Sequence, residues 1–171
     1  MLQLSSRAAV GRLLLNLMKT VIDIVAEPKG QTYIDLLNFA ASRCESFSLV
    51  WRKQFQFEPS AHQIANSLKP FLISSVRTDE WLGTKLIGHE AIVRQYRVAD
   101  EPIKILCPMS GLYSWLQPKF PEDLAFYSSG NIGWLGSVSH ERDAWLLDES
   151  LSLDEIYSRV PGIEIRKHKK D

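Results

Sequence analysis

Apolar positions along the chain change their period several times, and each change predicts an element. Thr20 to Val25 is a compact β-branched run that Glu27-Pro28-Lys29-Gly30 breaks, so a strand and a turn are expected. Thr32 is placed to cap the next helix, with Asp35 three residues on, and Ile34, Leu37, Ala41 and Cys44 share one helical face. Phe47, Leu49 and Trp51 alternate, which predicts a second, half-buried strand ending at Arg52-Lys53-Gln54. After Pro59, Ser60-Ala61-His62-Gln63 has the form of a capping box. Ile64, Leu68 and Leu72 continue as an apolar stripe, which Pro70 ends or kinks near Lys69.

Beyond the polar stretch from Arg77 to Gly83 the period becomes two. Glu90 to Val98 carries Ile92, Tyr96 and Val98 on one parity, Asp100-Glu101-Pro102 reads as a turn, and Ile103 to Cys107 reads as the returning strand of a hairpin. Leu112 to Leu116 predicts one short helical turn before Pro118. Leu124 to Tyr127 and Trp134 to Val138 predict two strands, with a turn at Ser128-Ser129-Gly130-Asn131, and Ala144 to Leu147 is a candidate for a last one. Ser152-Leu153-Asp154-Glu155 is a second capping box, and it opens a helix that Pro161-Gly162 ends. The order β-α-β-α-β-β-β-β-α predicts an α+β domain: a mixed or mainly antiparallel sheet with two or three helices packed on it.

Composition bounds this picture. A chain of 171 residues, 45% apolar and 23% charged, suits one domain with a proper core. Lys+Arg and Asp+Glu each number 20, so the basic excess expected of a nucleic-acid binder is missing. Residues 166–171 read as a solvated basic tail. Residues 1–17 carry Arg7 and Arg12, no acid, and the run Leu13-Leu14-Leu15, which is too short to span a bilayer. They read as an appended helix or an overextended start ahead of a domain covering 18–165, and only faintly as a transit peptide. The expected location is cytoplasmic, with no membrane or nucleic-acid partner. Cys44 and Cys107 sit among apolar neighbours and read as buried thiols.

Two polar clusters carry candidate chemistry. Ser137, Ser139, His140, Glu141, Arg142 and Asp143 supply a hydroxyl, an imidazole and carboxylates, the raw parts of acid–base work. Adjacent strand residues point to opposite faces, however, so a charged hairpin connection is the plainer reading. Glu122-Asp123 after Pro121 is a carboxylate pair that could share a proton or bind a hard cation, or merely open an element. Nothing in the sequence brings the two clusters together. His89-Glu90 and His140-Glu141 do not extend to His-Glu-x-x-His, and no glycine-rich phosphate loop or serine elbow occurs, so no metal or cofactor is expected. Tyr113 and Trp115 lie beside Pro118 and Pro121 in a loop-like stretch. They read either as plugs of the sheet's open end or as anchors of a binding surface.

The runs Leu112-Tyr113-Ser114-Trp115-Leu116-Gln117-Pro118, Pro121-Glu122-Asp123-Leu124-Ala125-Phe126 and Ser137-Val138-Ser139-His140-Glu141-Arg142-Asp143-Ala144 resemble a family of small uncharacterised bacterial proteins, some carrying a transferred sporulation-protein label. The resemblance is clearest from Leu112 to Leu147, with a weaker echo from Met18-Lys19. It implies a small bacterial cytosolic α+β protein and brings no catalytic assignment. The expected function is a non-enzymatic protein-binding module, for instance an immunity-type, toxin-neutralising protein, binding through Tyr113, Trp115, Glu122, Asp123, His140, Arg142 and Asp143. The alternative is a small hydrolase using His140 with Glu141 or Glu122, with Asp123 a further candidate.

Overall fold

Every strand of the main sheet runs antiparallel to its neighbours. The computed structural model describes residues 20–52 and 56–167. It forms an eight-stranded sheet of order β10-β1-β9-β8-β7-β2-β6-β3 and a separate two-stranded hairpin, β4–β5. The strands are β1 (Ile22–Ile24), β2 (Ser46–Arg52), β3 (Leu72–Thr78), β4 (Glu80–Trp81), β5 (Thr84–Lys85), β6 (Ala91–Arg97), β7 (Glu122–Ser128), β8 (Ile132–Val138), β9 (Asp143–Leu146) and β10 (Ile165–Lys167). Four helices occur among the described residues: α1 (Gly30–Arg43), α2 (Pro59–Leu68), α3 (Asp100–Leu106) and α4 (Leu153–Arg159). The architecture is therefore α+β with an antiparallel sheet. None of the described helices is long and apolar enough to cross a membrane.

All four helices feed one core against the inner face of the sheet. Tyr33, Leu36, Leu37, Phe39 and Ala40 of α1, Leu68 of α2, Ile103 and Leu106 of α3 and Ile156 of α4 join Ile22, Phe47, Tyr96, Phe126 and Leu146 from the strands. Strand β2 is central and nearly all of it is buried, not half-buried as its alternation suggests. Phe47 and Leu49 point into the main core, and Val50 points into a smaller cluster with Trp81, Leu86 and Ala91 on the outer face.

The β4–β5 hairpin is an arm laid across that outer face. Its Leu82 packs with Val21, Val138, Trp145 and Leu147. A side chain at Gly83 would meet the Trp145 ring at 2.3 Å, and one at Gly136 would meet it at 2.5 Å, so both positions need glycine for the indole to lie flat. Gly83 also holds φ at +86°.

Four expectations are corrected. Thr32 does not cap α1: the capping position is Lys29, and Thr32 Oγ1 donates to the Pro161 carbonyl at 3.0 Å. The Ile103 to Cys107 strand and its turn are one helix, α3: Pro102 is tolerated in the first turn, and Asp100 and Glu101 suit a helix N-terminus. Ser60 does not cap α2. The capping position is Glu58, Pro59 opens the helix, and Ser60 Oγ donates to the Lys119 carbonyl at 2.6 Å. The apolar stripe does not continue to Leu72, which instead opens β3, a largely exposed edge strand. By contrast, Ser152 Oγ accepts from the Glu155 N–H at the start of α4 as its spacing predicts. Arg166 and Lys167 lie in β10, with Arg166 Nη2 3.5 Å from Asp23 Oδ2, so the basic run begins inside the sheet. The expectations for residues 1–17, for a start at Met18 and for 168–171 fall outside the described residues.

Candidate functional site

The two polar clusters meet. Glu122, Asp123 and His140 offer donor atoms that all lie within 4.8 Å of one another. Glu122 and Asp123 open β7, and His140 lies in the 3-10 turn Ser139–Glu141 between β8 and β9. A bulge makes the meeting possible. Ser48 pairs with Ala125 but Val50 pairs with Glu122, so Asp123 and Leu124 share the space opposite Leu49. Asp123 takes up the extra length in the left-handed region, φ 56°, a conformation rarely held by a residue other than glycine. This breaks the strand's alternation and frees two consecutive carboxylates to converge.

Asp123 is buried and held from two sides. Trp81 Nε1 donates to Oδ2 at 3.0 Å from the arm, and the Ser139 N–H donates to Oδ1 at 2.9 Å from the turn that carries His140. Burial raises its pKa, and these two donors pull it back down. Glu122 is also buried. Its Oε2 makes no hydrogen bond and lies 3.7 Å from Arg52 Nη1 at the end of β2. Burial, aided by the charge of Asp123, pushes its pKa up to about 7 against the pull of Arg52 and Gln117. Gln117 Nε2 and Ser139 Oγ are likewise buried without a hydrogen bond, while Gln117 Oε1 accepts from the Arg52 N–H at 3.1 Å.

His140 forms the accessible rim, its side chain 39% exposed, with Nε2 3.7 Å from Glu141 Oε1. Burial raises the Glu141 pKa, opposed by His140. Arg142 follows at φ 55° and turns away. Its Nη2 donates to Glu27 Oε2 at 3.1 Å, and its guanidinium lies over the Tyr113 ring at 5.4 Å. Glu27 Oε1 accepts in turn from the Tyr113 N–H at 3.0 Å. The pair Arg142–Glu27 thus clamps the far side of the turn that presents His140. Asp143 is half-buried at the start of β9.

The aromatic residues expected at a surface lie elsewhere. Trp115 is fully buried, and its Nε1 donates to Tyr33 OH, which donates to the Leu106 carbonyl. Tyr113 is 7% exposed. Tyr113, Trp115, Glu122 and Asp123 therefore offer a partner almost no surface, and the indole of Trp115 plugs the inner core. Of the residues that shape the site, Trp81, Arg52, Gln117 and Glu27 carried no signal of a site: Arg52 and Glu27 read only as element ends, and Gln117 only as part of a longer run. Trp81 left one trace, a lone indole in an otherwise polar stretch. It also lines a groove of about 380 Å³ on the outer face, floored by Ser48, Gln95 and Tyr127 and walled by the arm. Compared with protein-family models, curated proteins and solved structures, the chain matches none.

Proposed function

We propose that the outer-face cluster is a hydrolytic centre, in which Glu122, Asp123 and His140 activate a water molecule against a small polar substrate. The observation that carries this reading is the convergence of two buried carboxylates and a half-exposed imidazole, with Glu122 Oε2 left without a hydrogen bond. A buried carboxylate oxygen compensated only by a long ion pair to Arg52 costs stability, so a structural role is a poor account of it. A water in this corner faces several acceptors, so its proton has somewhere to go as its oxygen bonds to the electrophilic centre. The leaving group takes up a proton as its own bond to that centre breaks. The half-exposed rim at His140 gives a substrate access to the cluster. A partner-binding role through this loop has less support, because Tyr113 and Trp115 are committed to the interior.

The test is turnover of purified protein on chromogenic carboxyl ester, phosphomonoester and phosphodiester substrates. Hydrolysis of one class, lost in both Glu122→Gln and His140→Ala, is the expected result. Hydrolysis of none, or hydrolysis unaffected by both substitutions, would overturn the reading.

A further inference from the structure

We propose that Glu122, Asp123 and His140 bind one first-row divalent cation of the Mn²⁺ to Zn²⁺ series. This rests on the hydrolytic reading of the same site and supplies its activating agent, since a bound cation lowers the pKa of coordinated water.

The donor set selects the ion. Two carboxylates and an imidazole suit Mn²⁺, Fe²⁺ or Zn²⁺. Ca²⁺ calls for six to eight oxygens, and soft monovalent copper for thiolates. Two ligands each about 2.1 Å from one ion stand at most about 4.2 Å apart. Donors already within 4.8 Å need only a slight closure, and the half-exposed His140 side chain has room to give it.

The surroundings fit as well. The Trp81 Nε1–H and the Ser139 N–H fix the Asp123 carboxylate from outside, as outer-shell donors do for metal ligands, and each carboxylate oxygen keeps a second lone pair. Ser139 Oγ, outside the ligand set but on the residue whose N–H holds Asp123, is buried without a hydrogen bond. So is Glu122 Oε2, which meets Arg52 only at 3.7 Å, and together they are the sign that a ligand is missing from their surroundings. Charge agrees too: with Glu141 beside His140 and Arg52 beside Glu122, three carboxylates face one guanidinium, leaving a surplus that a dication neutralises. Only three protein donors are supplied, so coordination positions remain for water and substrate, as in catalytic rather than structural sites.

The experiment is calorimetric titration of chelator-treated, full-length protein with MnCl₂ and, separately, ZnCl₂, with Mn²⁺ electron paramagnetic resonance as a second readout. One equivalent is expected to bind, with affinity falling at least about tenfold in Glu122→Gln and in His140→Ala. Glu90→Gln, at an exposed carboxylate paired with Arg77, should bind as the parent does. His140→Ala alters a half-exposed side chain, so loss of fold does not confuse the result. Absence of one-to-one binding of either ion, or equal binding by both site variants, overturns the proposal. Turnover that persists in metal-free protein overturns the cation while leaving hydrolysis standing. One-to-one binding at these residues without turnover upholds the cation and sinks the hydrolase.

Discussion

The two faces of the sheet are built on different terms. On the inner face, all four helices close one apolar core, and its central polar groups are matched: Trp115 Nε1 finds Tyr33 OH, and Tyr33 OH finds the Leu106 carbonyl, while Trp51 Nε1 at the end of β2 is buried without a hydrogen bond. The phenol of Tyr33 is held well above its ordinary range by burial and stays neutral. On the outer face, two small clusters and an arm cover buried carboxylates, and Glu122 Oε2, Ser139 Oγ and Trp145 Nε1 make no hydrogen bond. A left-handed aspartate and a left-handed arginine bracket this cluster. Each departure costs stability, and together they concentrate within one site. The inner face holds the fold, and the outer face carries features that packing alone does not call for.

The contrast can be broken most forcefully from the inside. Trp115→Ala empties a fully buried site and withdraws the donor to the Tyr33 hydroxyl, so it should destabilise by about 3–5 kcal/mol in urea unfolding. The outer face answers to pH instead. Glu122 has a folded-state pKa of about 7 against an ordinary 4.5, so the native state holds its proton more tightly than the unfolded chain. The contribution is fully present below pH 4.5 and lost as pH rises through 7, a change on the order of 3 kcal/mol. Asp123, raised in the same direction, adds to it. Urea midpoints across this range should show the decline in the metal-free parent protein and a flatter profile in Glu122→Gln.

The arm gives a smaller effect. Gly83→Ala drives a methyl into the Trp145 ring at a positive φ, which should cost about 1–3 kcal/mol and loosen the β4–β5 arm, measured as faster amide exchange near Trp81. Trp81→Phe keeps an aromatic ring, though a smaller one, but withdraws a donor from buried Asp123. A loss of about 1–2 kcal/mol in urea unfolding is expected, with reduced turnover.

How far these features could be read in the sequence follows the same division. The inner face was largely legible, because β-branched runs, the alternation of Phe47 and Leu49 and the Ser152 cap are local signals of local structure. Asp100-Glu101-Pro102 misled because turns and helix starts favour the same residues. Strand β3 carried little signal, since an exposed edge strand paired only with β6 has no core-facing row to advertise. The individual members Glu122, Asp123 and His140 stood out by residue type, but their meeting did not. It depends partly on the β7–β8 hairpin, whose turn the sequence marks and which sets the start of β7 beside the end of β8. It also depends on a bulge at Asp123 in the pairing of β7 with β2, which leaves no short-range pattern. Trp81 reaches Asp123 across 42 positions, a contact no spacing rule anticipates.

The claim that the outer face gives up stability for chemistry is tested most directly by one paired measurement on Glu122→Gln: unfolding free energy in urea and turnover, both on metal-free and Mn²⁺-loaded protein at pH 8. The account predicts metal-free stability equal to or above that of the parent, since a buried charge lacking a hydrogen bond is removed, together with loss of turnover in the loaded protein. A variant several kcal/mol less stable than the parent when metal-free, with turnover intact when loaded, would show Glu122 to be a structural member of the sheet and would contradict it.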